Sequence, residues 1–249
     1  MHKRKNLVIL PGWSNDSDTL WQYQIQPLTD FYDIQTLVIS SETTAAGMAK
    51  EVLRRASNKF ILLGHSLGGY IAQHVALQAP ERVESLILVS TFPGTLSEEQ
   101  RTFFKQGMLA PLLEGSIAEH WPALNRACIA PARTEDEALL ALLVAGQKLS
   151  REELINQTNV LKGARDISDK LSAINVPTLI IYGRQDQLFT MSMQEQLFDK
   201  LSNCTVNIIE NCGHMPSLEQ PEMTTKILKT WLRPHQCLGV FQGSCRVTV

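Results

Sequence analysis

The chain has 249 residues, 44% hydrophobic and 19% charged, with a formal net charge of −2. That length suits one α/β domain whose core needs neither disulfides nor metal. The small net charge gives no electrostatic reason to expect nucleic acid or an anionic membrane as partner.

Five cysteines occur, Cys128, Cys204, Cys212, Cys237 and Cys245, without a CxxC pair. They read as buried or idle thiols in a reducing compartment, and no Cys/His spacing suits a metal. The basic start, His2 to Lys5, is followed by only four apolar residues, 7–10, before Pro11-Gly12. That is too short for a signal peptide, and no stretch approaches the roughly 18 apolar residues of a membrane span. A cytoplasmic protein is expected.

Taken in chain order, residues 7–10 form a buried strand ended by Pro11-Gly12, and 35–39 a second strand. Residues 45–56 carry Met48, Ala49, Val52 and Leu53 at helical spacing. Residues 59–63 are a third strand, ended by Gly64; 67–79 are helical and stop at Pro80; 83–89 are a fourth strand. Later come a strand at 177–182 ended by Gly183, a helix at 191–201, a strand at 205–209 and a closing helix at 219–231. Continuously apolar strands separated by helices predict a mostly parallel, doubly wound sheet of about six strands in the α/β class.

Between Thr91 and Ala173 the rhythm breaks, with no convincing strand. So long an insertion should carry its own structure. Residues 91–173 are expected to form a helical lid over the carboxyl ends of the strands, where open α/β sheets place their sites. The core then comprises 1–90 and 174–233. The tail, 234–249, lacks periodicity and is expected to be a flexible extension or foreign to the domain.

The strongest chemical signal is Gly64-His65-Ser66-Leu67-Gly68-Gly69, between a buried strand and a helix. A serine on so sharp a turn has strained backbone and an exposed hydroxyl. Glycines two before and two after it let strand and helix approach. The helix starting at Leu67 aims free N–H groups at the site, which makes the Leu67 amide a candidate oxyanion donor.

A serine needs a base. Of six histidines, His2 and His235 lie near the ends, His65 adjoins the nucleophile as a supporting residue, His74 is two turns into the helix, and His120 is in the lid. His214, in Asn211-Cys212-Gly213-His214-Met215-Pro216, follows the sixth strand on the same rim as Ser66. Asp186, in Tyr182-Gly183-Arg184-Gln185-Asp186, follows the fifth and would orient the base. Asp166 and Asp169 compete but precede that strand. The loop after the first strand, Pro11-Gly12-Trp13-Ser14, offers the Trp13 N–H as second oxyanion donor. The order Ser66, Asp186, His214 then supports acyl transfer through an acyl-enzyme, with no cofactor and no metal.

With these motifs the chain resembles the α/β-hydrolase superfamily over about residues 6 to 232. Within it the chain is similar to small carboxylesterases and to the pimeloyl-[acyl-carrier protein] methyl ester esterases of biotin synthesis, through Gly12-Trp13 and Ser66-Leu67. The resemblance implies ester hydrolysis of a small-molecule or carrier-bound acyl substrate, with an acyl-carrier protein received on a basic lid. Arg126, Arg133, Lys148, Arg151, Lys162 and Arg165 lie in that region. The chain departs from its relatives in carrying Pro11-Gly12 where most have His-Gly, Ser40-Ser41-Glu42-Thr43-Thr44 where an Asp/Gly/Ser segment usually stands, and no counterpart of the first two sheet strands. Two other readings compete: carbon–carbon hydrolysis of a ring-fission diketone, and a non-catalytic binding protein on the same fold.

Overall fold

The computed structural model describes residues 4–233 and the backbone of 246–248. Seven strands run parallel in one sheet: β1 (Lys5–Leu10), β2 (Tyr32–Thr36), β3 (Phe60–His65), β4 (Val83–Val89), β5 (Thr178–Gly183), β6 (Cys204–Ile209) and the short β7 (Arg246–Thr248). Their order is β2-β1-β3-β4-β5-β6-β7. The six longer strands are those expected from the sequence. β7 is an addition contributed by the tail. The rest of that segment, 234–245, where an extension was expected, lies outside the described residues.

The two apolar faces follow from strand periodicity. Along β1, Leu7 and Ile9 enter one core layer and Val8 and Leu10 the other. The helices Ala45–Arg55 and Leu67–Gln78 cover the Val8 side; Gln22–Thr29 and Pro221–Leu232 cover the Leu7 side. Every residue of β3 and of β5 is buried, which is why both read as unbroken apolar runs.

β2 is the exception in register. The sequence places it at 35–39, whereas the ladder to β1 runs from Lys5–Tyr32 to Ile9–Thr36. β2 is an edge strand with a polar face, so its paired part is not its most apolar part. Leu37 still donates to the Ile9 carbonyl (2.9 Å), but Leu37 and Ile39 then turn into the core beneath the helices. The closing helix is also split, into Pro216–Glu219 and Pro221–Leu232, because Pro221 cannot continue the first piece.

The insertion between β4 and β5 is helical. It includes Glu98–Thr102, a π-helical turn Phe103–Leu109, Ala110–Glu114, Ile117–Ala127, Glu137–Ala145 and Arg151–Lys162. It touches the β1 side through an isolated bridge, Asn15–Gln147. One expectation about the cysteines is corrected: Cys128 and Cys212 are free thiols, but Cys204 is disulfide-bonded. Cys237 and Cys245 lie outside the described residues. No helix among the described residues is long and apolar enough to cross a membrane.

β1 turns outward to β2 and the chain then returns to β3 on the other side of β1, so the carboxyl ends of β1 and β3 border a crevice. At the ends of β5 and β6 two backbones touch. A Cβ on Gly183 would lie 2.2 Å from the Gly213 carbonyl oxygen and 2.3 Å from that of Cys212. Neither neighbour is a movable side-chain end. Gly183→Ala is therefore expected to lower stability by about 1–3 kcal/mol, read as a fall in the urea midpoint at unchanged slope.

Candidate active site

Ser66 sits between β3 and the helix Leu67–Gln78 with φ 53° and ψ −119°. A non-glycine residue in that region costs on the order of 1–3 kcal/mol and must be held by its surroundings. Its amide donates to the Val89 carbonyl (2.9 Å), and its carbonyl accepts from the Thr91 hydroxyl (2.7 Å) and the Gly69 and Tyr70 amides (3.0 and 3.1 Å). The glycines are required sterically. A Cβ on Gly64 would lie 2.4 Å from the Gly68 carbonyl oxygen, and one on Gly68 2.4 Å from that of Pro11.

His214 and Asp186 meet. The imidazole Nδ1 donates to Asp186 Oδ2 (2.7 Å), both residues being buried. The other carboxylate oxygen accepts the amides of Leu188 (2.9 Å) and Phe189 (3.0 Å), so the carboxylate is aimed before the imidazole arrives. Since a carboxylate only accepts, the Nδ1 carries the proton and Nε2 keeps its lone pair, the tautomer a general base requires. Ser66 and His214 both line a cavity of about 730 Å³, together with Gly12, Trp13 and His65. The insertion supplies much of its apolar wall, including Leu96, Phe104, Met108, Leu124 and Leu143.

Trp13 also borders this cavity. Its indole N–H donates to the Thr158 hydroxyl (2.8 Å) and its ring lies 5.3 Å from that of Trp121. The side chain is thus tied to two residues of the insertion. The Ser14 amide donates to Gln157 Oε1 (3.0 Å), whose Nε2 in turn donates to the Ile39 carbonyl (3.0 Å). Ser14 itself has φ 66°. Gln157 and Thr158 were not legible as site residues, because a helix in the insertion gives no hint of which of its polar faces meets a loop 143 residues earlier. The Leu67 side chain belongs to the core; its N–H stands in the first turn of a helix, where amides lack intrahelical acceptors.

The other histidines stand apart from this chemistry. His65 Nε2 donates to the His214 carbonyl (2.8 Å), bracing the loop behind the base. His74 packs edge-on against Tyr70, and His120 lies on the helix Ile117–Ala127. His2 and His235 are outside the described residues. Asp166 accepts the Ser168 amide (2.8 Å) in a turn near the end of the insertion, and Asp169 lies in the short helix Ser168–Ala173. Sequence reasoning also passed over Glu219, whose carboxylate accepts the amides of Gly213 (2.9 Å) and Met215 (3.1 Å) on either side of His214. Burial raises its pKa above the ordinary carboxylate value, against the pull of its backbone donors.

Complete burial, with His214 adjacent, holds His65 down to a pKa of about 3. It is neutral in the folded protein, whereas the unfolded chain protonates it below about 6.5. The sign follows: below pH 6.5 the unfolded state binds the extra proton, so stability falls as pH drops from 6.5 toward 3. The expected slope from His65 is at most about 1.4 kcal/mol per pH unit. Urea unfolding at pH 5 and pH 7 should show this loss, and His65→Gln should shrink it.

The family model for serine aminopeptidase, S33, matches residues 39–221. The pimeloyl-[acyl-carrier protein] methyl ester esterase of Vibrio campbellii is 26% identical over 231 residues, covering 87% of this chain and 90% of that one. The enzyme of the same name from Pectobacterium carotovorum is 29% identical, with coverage of 89% and 91%. In structure, a thermophilic esterase from Thermogutta terrifontis superposes with a TM-score of 0.80 at 21% identity, covering 94% of this chain and 91% of its own. With its elbow serine and all-parallel core sheet, the chain belongs to the serine aminopeptidase S33 family, on the α/β-hydrolase fold.

Proposed function

We propose that the chain is a serine esterase in which Ser66 is the nucleophile, His214 the base and Asp186 the residue that orients it. The observation that carries this is the 2.7 Å bond from His214 to Asp186 at a cavity that also exposes Ser66 on its strained turn. His214 Nε2 takes the Ser66 proton as the oxygen attacks an ester carbonyl. The Trp13 and Leu67 amides receive the oxyanion. His214 then protonates the departing alcohol, and water, deprotonated by the same imidazole, releases the acid. These steps draw on the chain's own groups and involve no cofactor or metal.

The insertion 91–173 serves, on this reading, as a lid whose apolar residues receive the acyl chain, above a core of 1–90 and 174–233. The relatives' names favour the methyl ester of a carrier-bound pimeloyl group as substrate, which would place the work in the cytoplasm and in biotin synthesis. Charge on the lid bears on the carrier. Arg126, Arg133 and Lys148 are paired with Glu135, Asp136 and Asp16. Arg151 donates to the carbonyls of Leu112 and Leu113. Lys162 and Arg165, near the end of the helix Arg151–Lys162, are therefore the two of the six best suited to meet an acidic carrier protein.

Turnover on an ester panel that includes pimeloyl-carrier methyl ester tests this reading. Ser66→Ala and His214→Ala should each remove about 10⁴-fold or more of kcat in folded protein, and Asp186→Asn about 10³- to 10⁴-fold. Ester turnover retained by Ser66→Ala would overturn the nucleophile; cleavage of a diketone in place of every ester would overturn the substrate class.

A further inference from the structure

Glu219 ends the short helix Pro216–Glu219 and is 4% exposed, and the steps above leave it unused. Its Oε1 accepts the Gly213 and Met215 amides, and its Oε2 accepts the Ala130 amide (2.8 Å). The amide between the first two, that of His214, donates to the Cys128 carbonyl (3.0 Å). Three successive N–H groups are thereby fixed, two on one carboxylate and one on the segment 128–130 that this carboxylate also grips. Gly213 makes the fit possible: a Cβ there would lie 2.5 Å from the Ala130 nitrogen and 2.5 Å from the Ile129 carbonyl carbon. On the far side, Arg133 donates to the Glu219 carbonyl (2.5 Å), joining the same stretch of the insertion to the same residue.

We propose that Glu219 is a positioning residue for His214, holding the backbone that presents the imidazole to Asp186. The inference rests on the reading of His214 as the base. A carboxylate suits the task because all three of its partners donate, and it can only accept. Glutamine has nearly the same shape but replaces one oxygen with an NH₂ group. In either orientation that group faces at least one amide donor, leaving a buried N–H unsatisfied and pushed away. Glu219→Gln is therefore a disruptive change here. Glu219→Asp keeps the acceptor but sets it back by one methylene.

The test uses both variants of the full chain, each compared with wild type per folded molecule by near-ultraviolet circular dichroism. Three quantities are read: kcat and KM on a p-nitrophenyl ester, the rate of fluorophosphonate labelling of Ser66, and the downfield proton signal of His214 Nδ1, assigned by its absence in His214→Gln. Glu219→Gln should lower kcat and the labelling rate tenfold or more, leave KM within twofold, and shift or broaden the Nδ1 signal. Glu219→Asp should fall between. A folded Glu219→Gln with wild-type kcat and an unmoved Nδ1 signal overturns the proposal. So does failure of both variants to fold, because Glu219 then serves the core and not the histidine loop. If wild type neither labels nor turns over ester while the Nδ1 signal still moves in the variant, the nucleophile reading fails and the positioning role stands.

Discussion

One buried hydrogen bond, from the His214 imidazole to the Asp186 carboxylate, constrains the rest of this molecule. Taking a carboxylate out of water is costly unless its oxygens are satisfied. Here the loop amides of Leu188 and Phe189 take one oxygen and the imidazole takes the other. The two loops that bring these groups together leave β5 and β6, and they approach so closely that Gly183 has no room for a side chain, while Gly213 is crowded in turn by Ile129 and Ala130 of the insertion. The same logic governs the neighbouring elbow, where Gly64 and Gly68 let the helix of Ser66 rest on the ends of β1 and β3. Contacts between backbones thus fix the rim, and side chains are free to carry the chemistry.

The insertion is bound into this rim as well as placed above it. Gln157 and Thr158, on the helix Arg151–Lys162, hold the Ser14 amide and the Trp13 indole. Cys128 and Ala130, after the helix Ile117–Ala127, meet the loop of His214. Two separate parts of the insertion therefore touch the two loops on opposite sides of Ser66. Displacing it would disturb the proposed oxyanion loop and the proposed base together.

How much of this was legible in the sequence depended on whether a signal was local. Ser66 was legible because its glycines and the strand before it occupy a few successive residues. β4 was legible to the residue, since Pro80 ends the helix before it and the run from Leu86 to Val89 is apolar and buried. β2 was misplaced by three residues because an edge strand is defined by its partner β1, and the apolar residues 37–39 belong to a different contact. Gln157, Thr158 and Glu219 were missed for the complementary reason. Glu219 stands only five residues after His214, just past the segment 211–216 singled out for the histidine, yet its worth lies in an amide 89 residues earlier. The disulfide at Cys204 was also illegible, since an odd set of widely spaced cysteines has no pairing that sequence alone prefers.

The same distinction explains why fold and reaction class come before substrate. The rim is made by backbone approach, which tolerates few residue types and so leaves local motifs in the sequence. The cavity wall is made by apolar side chains from the insertion, such as Phe104 and Leu143, where any residue of suitable volume fills the space. Such a wall leaves no motif. Ligand selection must then come from the few polar groups that interrupt it and from charges outside it, and three basic residues of the insertion, Arg126, Arg133 and Lys148, are already paired with carboxylates. On the proposed reading, shape and apolar area set by the helices of the insertion decide which ester is cleaved, while the backbone-built rim decides that an ester can be cleaved at all.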